Sequence, residues 1–283
     1  STNARRTWSN SAGRRAVKYI DPHIHMVSRT TDDYRRMAQA GCVAITEPAF
    51  WAGFDRCSVD GFRDYYRQLT DTEPKRAAHY GIKHHCWLCI NPKEAEDIGF
   101  AREVMSAIPE FLDRHNVLGI GEIGLNKNSK NELSVLEAHL ALAKERDTLV
   151  LVHTPHLEDK YKGTMLIMDA VANAGLDSDR VLIDHVEEHT VGAVLDRGFW
   201  AGMTLYPDTK CTPQRAVDIL ERWGTDRIWM NSAGDWGDSD PLAVPKARME
   251  MKRRRHPAAM IEQVTFGNPV AFLGRSPNFS VDV

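Results

Sequence analysis

Short apolar, β-branched runs recur along the whole chain, and five of them close on side chains able to hold a divalent cation. The closing segments are Asp21-Pro22-His23-Ile24-His25, Gly121-Glu122-Ile123-Gly124, Val152-His153-Thr154-Pro155-His156, Ile183-Asp184-His185 and Ser232-Ala233-Gly234-Asp235. Donors so far apart in sequence become neighbours only if each run is a parallel strand of one closed sheet, with every donor at the same end. Strand patterns fall at 17–25, 42–47, 82–90, 117–123, 148–154, 180–186, 198–204 and 227–232. Between them, three- and four-residue apolar spacing predicts helices over Asp32–Ala40, Val59–Tyr80, Ala101–Arg114, Asn131–Arg146, Gly163–Ala174, Val191–Arg197, Pro213–Trp223 and Pro257–Leu273. Gly41 and Gly175 stand where helix C-caps belong. Strictly alternating strand and helix over this length gives the expected class: α/β, a (β/α)8 TIM barrel.

At 283 residues the chain is long enough for one such barrel, and it shows no internal repeat, flexible linker or low-complexity tract. The expected organisation is an N-terminal arm over 1–16, carrying Arg5, Arg6, Arg14 and Arg15, followed by one barrel domain over 17–283. A longer excursion, 236–256, interrupts the alternation after strand eight and ends in Lys252-Arg253-Arg254-Arg255, a run that reads first as a solvated helix face. With 42% hydrophobic and 27% charged residues, the composition is that of a soluble enzyme. No apolar stretch is long enough to span a bilayer, so no membrane insertion is expected. The formal charge of -3 supplies no global field to attract nucleic acid. Five cysteines, an odd number, do not form a disulfide framework, which fits a reducing, cytoplasmic setting.

Residues two apart on a strand point the same way, so His23 and His25 can grip one ion from one edge. Glu122 lies between two glycines, which leave room for a carboxylate to reach between two ions. His153 and His185 each follow an apolar run at equivalent positions. Either alone reads as a satisfied barrel-rim histidine; together with His23 and His25 they read as ligands. Asp235 completes the ring and is the expected base. A metal lowers the pKa of its water from 15.7 to roughly 7, so a metal-bound hydroxide is the expected nucleophile at neutral pH. Oxygen and nitrogen donors without cysteine suit Zn²⁺, Mn²⁺, Fe²⁺, Ni²⁺ or Mg²⁺. The string His84-His85-Cys86-x-x-Cys89 is not a tetrahedral site, because Cys86 and Cys89 face opposite sides of a strand; it reads as core packing. No Gly-rich phosphate loop and no Ser or Cys nucleophile motif is present.

These strand-end segments, from Tyr19 to Gly274, resemble the amidohydrolase superfamily and more narrowly its TatD-like branch of metal-dependent hydrolases. Gly121-Glu122-Ile123-Gly124-Leu125 is the most specific string. The resemblance implies that Glu122 takes the bridging place that a carboxylated lysine holds in other amidohydrolases. It further implies a dinuclear site, with His23, His25, Glu122 and Asp235 on the more buried ion and Glu122, His153 and His185 on the more exposed one. The segments Glu47-Pro48-Ala49-Phe50-Trp51, Thr154-Pro155-His156 and Asn231 to Gly237 depart from the TatD nucleases and look closer to an uncharacterised TatD-related group. Since these are the loops that would read substrate, a small-molecule ester, amide, lactone or phosphoester is the expected substrate. A TatD-type deoxyribonuclease is the nearest alternative, a metal-assisted lyase or isomerase the next, and a barrel without chemistry serving as a binding scaffold the last. Glu47, His156, Lys160, Tyr206 and Trp236 are the candidate substrate-binding residues, with His189, Lys210, Phe50 and Trp51 also expected near the mouth.

Overall fold

The computed structural model describes residues 17–282, so the arm over 1–16 lies outside the described residues. Eight strands form one parallel sheet in sequence order: β1 (Tyr19–Asp21), β2 (Cys42–Pro48), β3 (Lys83–Leu88), β4 (Val117–Gly124), β5 (Leu149–His153), β6 (Val181–Ile183), β7 (Trp200–Thr204) and β8 (Ile228–Asn231). Helices alternate with them, and the architecture is a (β/α)8 TIM barrel. The ring closes between β8 and β1 through the segments that follow them. There Ala233 N donates to His23 O at 2.8 Å, and His25 N donates to Gly234 O at 2.7 Å.

Alternation along the strands separates two cores. Ile20, Ala44, Trp87, Leu118, Leu149, Leu151, Leu182, Trp200 and Trp229 pack together with Phe272 and Leu273 of the C-terminal helix, filling and plugging the barrel. The intervening residues, such as Ile45, Val150, Val152, Met203 and Met230, belong to the core that joins sheet to helices. His153 shares the inward face of Leu149 and Leu151, and Asn231 that of Trp229. The apolar interior therefore gives way to polar side chains at the C-terminal ends of the strands.

Several strands are shorter than their apolar patterns. β1 stops at Asp21 because Pro22 has no N–H for the ladder. β6 stops at Ile183, two residues before His185, which takes φ 60°. Two of the expected long helices each contain a wider π turn, Gln68–Thr72 and Gln263–Gly267. Each has a threonine four residues before a proline, Thr70 with Pro74 and Thr265 with Pro269. The proline cannot donate to the threonine carbonyl, and the threonine hydroxyls bond back to Tyr66 O and Ile261 O at 2.9 and 2.8 Å. The helix expected to end at Arg114 gives way to a 3-10 turn, Ile108–Glu110, at Pro109.

The excursion after β8 contains the helix Ala243–Arg253. Half of its basic run is locally paired: Arg253 and Arg254 pair with Glu250 at 2.7 Å, and Arg254 pairs with Asp218 at 2.5 Å and with Glu221 at 3.2 Å. No helix among the described residues is long and apolar enough to cross a membrane.

Candidate metal centre

Glu122, on β4, is the hub of the site. Its Oε2 lies 3.5 Å from His23 Nε2, 3.3 Å from His153 Nδ1 and 3.5 Å from His185 Nε2, and its Oε1 lies 3.8 Å from His25 Nε2. Two compact donor groups result, His23–His25–Glu122 and Glu122–His153–His185, each with its donor atoms within 4.8 Å of one another and all five side chains buried.

The ring orientations follow from what the far nitrogens touch. His23 Nδ1 donates to Asp184 Oδ2 at 2.5 Å, and His25 Nδ1 donates to the Pro48 carbonyl at 3.2 Å. Carboxylates and carbonyls only accept, so in the neutral rings both protons sit on Nδ1 and both Nε2 atoms are bare. Those two bare nitrogens nevertheless approach to 3.1 Å. His185 Nδ1 is likewise tied to Thr204 Oγ1 at 2.6 Å, whose own proton has Asn231 Oδ1 to go to at 2.9 Å. His185 Nε2 then lies 3.0 Å from His153 Nδ1. His153 Nε2 is buried without a partner. Convergent lone pairs beside a carboxylate are what a cation needs, and the donor set fits a divalent metal.

The charge states of His25, His185 and Glu122 agree with this fit. Burial, aided by the His23 charge, pushes His25 down to about 3, and burial also pushes His185 well below its ordinary value. Both therefore stay neutral, the form that binds metal. Burial alone would raise Glu122, but the surrounding imidazoles, His23 first, hold its carboxyl well below the usual range. His23 moves the other way: Glu122 and Asp184 outweigh burial and raise it.

Four residues that sequence reasoning missed hold this arrangement. Asp184 accepts from His23, from the His185 backbone N at 2.8 Å and from Asn231 Nδ2 at 2.9 Å. Asn231 and Thr204 complete that network, and Asn91 Nδ2 donates to Glu122 Oε1 at 3.2 Å. For Thr204 and Asn231, alternation with the core residues of their strands carried a signal. For Asn91, the only hint was its place just after β3.

A cavity of about 170 Å³ opens above the cluster. His156, Tyr206 and Trp236 line it, as do Phe50, Trp51, Asn91, Lys93, Lys210 and Asp235. Asp235 lies outside both compact donor groups; its Oδ1 accepts from Tyr206 OH at 2.9 Å and from Gly237 N at 2.8 Å.

Two expected substrate-binding residues do not line the cavity. Glu47 shares the helix-facing side of β2 with Ile45, while Ala44 and Thr46 face inward. It is fully buried, accepts from Val27 N at 2.7 Å and meets His84 Nε2 at 2.7 Å. Burial pushes its carboxyl up to about 8. Lys160 is buried behind the site, where its ammonium donates to His185 O at 2.8 Å and pairs with Glu187 at 3.4 Å. His84, Cys86 and Cys89 pack in the core as expected, and Cys89 Sγ donates to Glu122 O at 3.1 Å. His189 does not line the cavity.

The family model described as TatD related DNase matches residues 20–232. The chain belongs to this family. A protein of Methanocaldococcus jannaschii described as an uncharacterized metal-dependent hydrolase is 27% identical over 236 residues, covering 82% of this chain and 90% of that protein. The crystal structure of a TatD-like protein from Archaeoglobus fulgidus superposes with a TM-score of 0.76 at 25% identity, over 90% of this chain and all of the other. A phosphotriesterase homology protein from Escherichia coli shares the fold, with a TM-score of 0.65 at 12% identity over 91% of this chain and 99% of that one. The TatD-related protein described here is a metal-dependent hydrolase on a (β/α)8 barrel, and its candidate metal ligands lie at the C-terminal ends of the strands, the end of such barrels where active sites are built.

Proposed function

We propose that this TatD-related hydrolase holds two divalent cations, one by His23 and His25 and one by His153 and His185, with the Glu122 carboxylate shared between them. The hydrolysed bond is an ester, amide, lactone or phosphoester of a small molecule. The observation that carries the reading is the position of Glu122 Oε2 between the two histidine pairs, 3.3–3.5 Å from three imidazole nitrogens. Bound divalent ions supply a water acidic enough to attack at neutral pH and a Lewis acid for the scissile group.

The remaining work falls to the chain. Asp235 is the proton acceptor: Tyr206 OH and Gly237 N fix its Oδ1, which aims the carboxylate from the cavity wall. Phe50 stacks on the His25 ring, with centroids 4.0 Å apart, and shields that ligand from water. Trp51 and Trp236, 5.9 Å apart, wall the mouth.

The family description favours a second reading, deoxyribonuclease activity, and the lysines on the cavity wall suit a phosphodiester as well. The first reading rests on the mouth, which Phe50, Trp51 and Trp236 wall with aromatic rings, and on a formal charge of -3, which supplies no global field to draw in a polyanion.

One experiment tests both. The metal-loaded enzyme is assayed on esters, lactones, phosphoesters and single- and double-stranded DNA in ¹⁸O-labelled water. Label in the product of a small substrate, and its loss in Glu122→Ala, is the expected result. Product without label overturns hydrolysis, and label from DNA alone selects the nuclease.

A further inference from the structure

Two ammonium groups reach the cavity without a protein counter-ion. Lys93, in the turn after β3, sits over the Trp51 ring at 5.3 Å, and Lys210, after β7, sits over the Tyr206 ring at 4.6 Å. Among the described residues neither pairs with a carboxylate. The two carboxylates of the cavity wall are already committed: Glu122 lies among four imidazoles, and Asp235 is held by Tyr206 and Gly237. Lys160 makes the contrast, since this buried lysine outside the cavity has Glu187 as partner. His156 shares the cavity wall with the two lysines and has a buried Nδ1 with no hydrogen-bond partner.

We propose that Lys93 and Lys210, with His156, form an anion subsite that takes a phosphate or carboxylate group of the substrate other than the group being hydrolysed. This rests on the hydrolase reading for its role in catalysis, but not for the site itself. Two positive charges beside a cluster that gathers cations repel that cluster and each other, and an incoming anion relieves both repulsions. Aromatic faces hold the ammonium groups without neutralising them, so their charge remains available to a ligand. Burial lowers the Lys210 ammonium to about 8, and the charge of Glu122 opposes this. An uncharged His156, which burial and the Lys210 charge push down to about 3, presents a polar nitrogen at the same wall. The specificity that follows is for substrates carrying an anion beside the reacting bond.

The test has a binding arm and a turnover arm. Inorganic phosphate and malonate are titrated by calorimetry into chelator-treated protein, so that no ion can hold them, using the wild-type chain, K93M, K210M and the double variant. Binding to the wild type, weakened roughly 10- to 100-fold in the double variant, is expected for charge-assisted contacts of this kind. Absence of binding, or equal affinity in the double variant, overturns the subsite. In the turnover arm, metal-loaded protein is given 4-nitrophenyl acetate and the matching hemisuccinate ester. The ratio of their kcat/KM values, in favour of the anionic ester, is expected to collapse in K210M. A ratio that does not change overturns the proposed role in specificity. If neither ester is turned over, the carboxylic-ester form of the hydrolase reading has failed and the calorimetry decides the subsite alone.

Discussion

Asp184 joins three elements beneath the candidate metal centre: it accepts from His23 after β1, from the backbone N of His185 after β6, and from Asn231 on β8. Burial opposes its charge, but the neighbouring His185 and His23 hold its carboxyl well below the ordinary value, so it stays ionised and keeps the His23 proton on Nδ1. Asp184→Asn puts an amide N–H₂ where donors already point, which frees His23 to rotate. A loss of about 10- to 100-fold in metal affinity is expected, with the fold retained. Competition against a chromophoric chelator measures it, and an affinity within twofold of wild type would contradict the account. The candidate ligands themselves were legible because each ends an apolar run. Asp184 stood in the same run as His185, but nothing local distinguishes a ligand from the residue that orients one. Glu47 shows the reverse error: it ends a strand as Glu122 does, and only the inward facing of Ala44 and Thr46 reveals that it points at the helices.

At the level of elements, the eight runs were readable because each is apolar on both faces, one for the barrel interior and one for the helices. Their ends were less readable, because Pro22 and the left-handed His185 release the chain from the ladder to aim side chains at the cavity. The π turns were invisible for another reason: a Thr-to-Pro spacing of four does not alter apolar periodicity.

Two substitutions separate contributions that sequence pattern treats alike. Gly119 on β4 has no room for a methyl group, since a Cβ there would lie 2.1 Å from Leu149 O on β5. Ser129 caps the helix Lys130–Glu145 through a reciprocal bond pattern with Glu132. Ser129→Ala is expected to lower stability by about 1 kcal/mol. Gly119→Ala must displace backbone in the β4–β5 pair, for which overpacking costs of about 1–3 kcal/mol are usual. Thermal melts of the two variants should rank Gly119→Ala as the more destabilised; the opposite order would mean that the β4–β5 junction yields easily.

Across the whole molecule, the cations and the barrel stabilise each other unequally. The donors come from the segment after β1, from β4 and β5 themselves and from the segment after β6, and the seam between β8 and β1 is held by the backbone bonds around His23, His25, Ala233 and Gly234 rather than by a long ladder. An ion held by His23, His25 and Glu122 would tie the β1 side of that seam to β4. The two apolar cores, inside the barrel and between sheet and helices, do not depend on it. Chelation should accordingly leave a folded barrel with a lower melting temperature. A site kept at 100 times its Kd contributes about 2.7 kcal/mol, which corresponds to several degrees for a chain of this size. Calorimetric melts with and without chelator test the size of the effect, and hydrogen exchange tests its place, with faster exchange expected first at His25 and Ala233. Global unfolding on chelation would mean that the cores are insufficient alone. An unchanged melt would mean that the donors of β1 and β4 hold no ion.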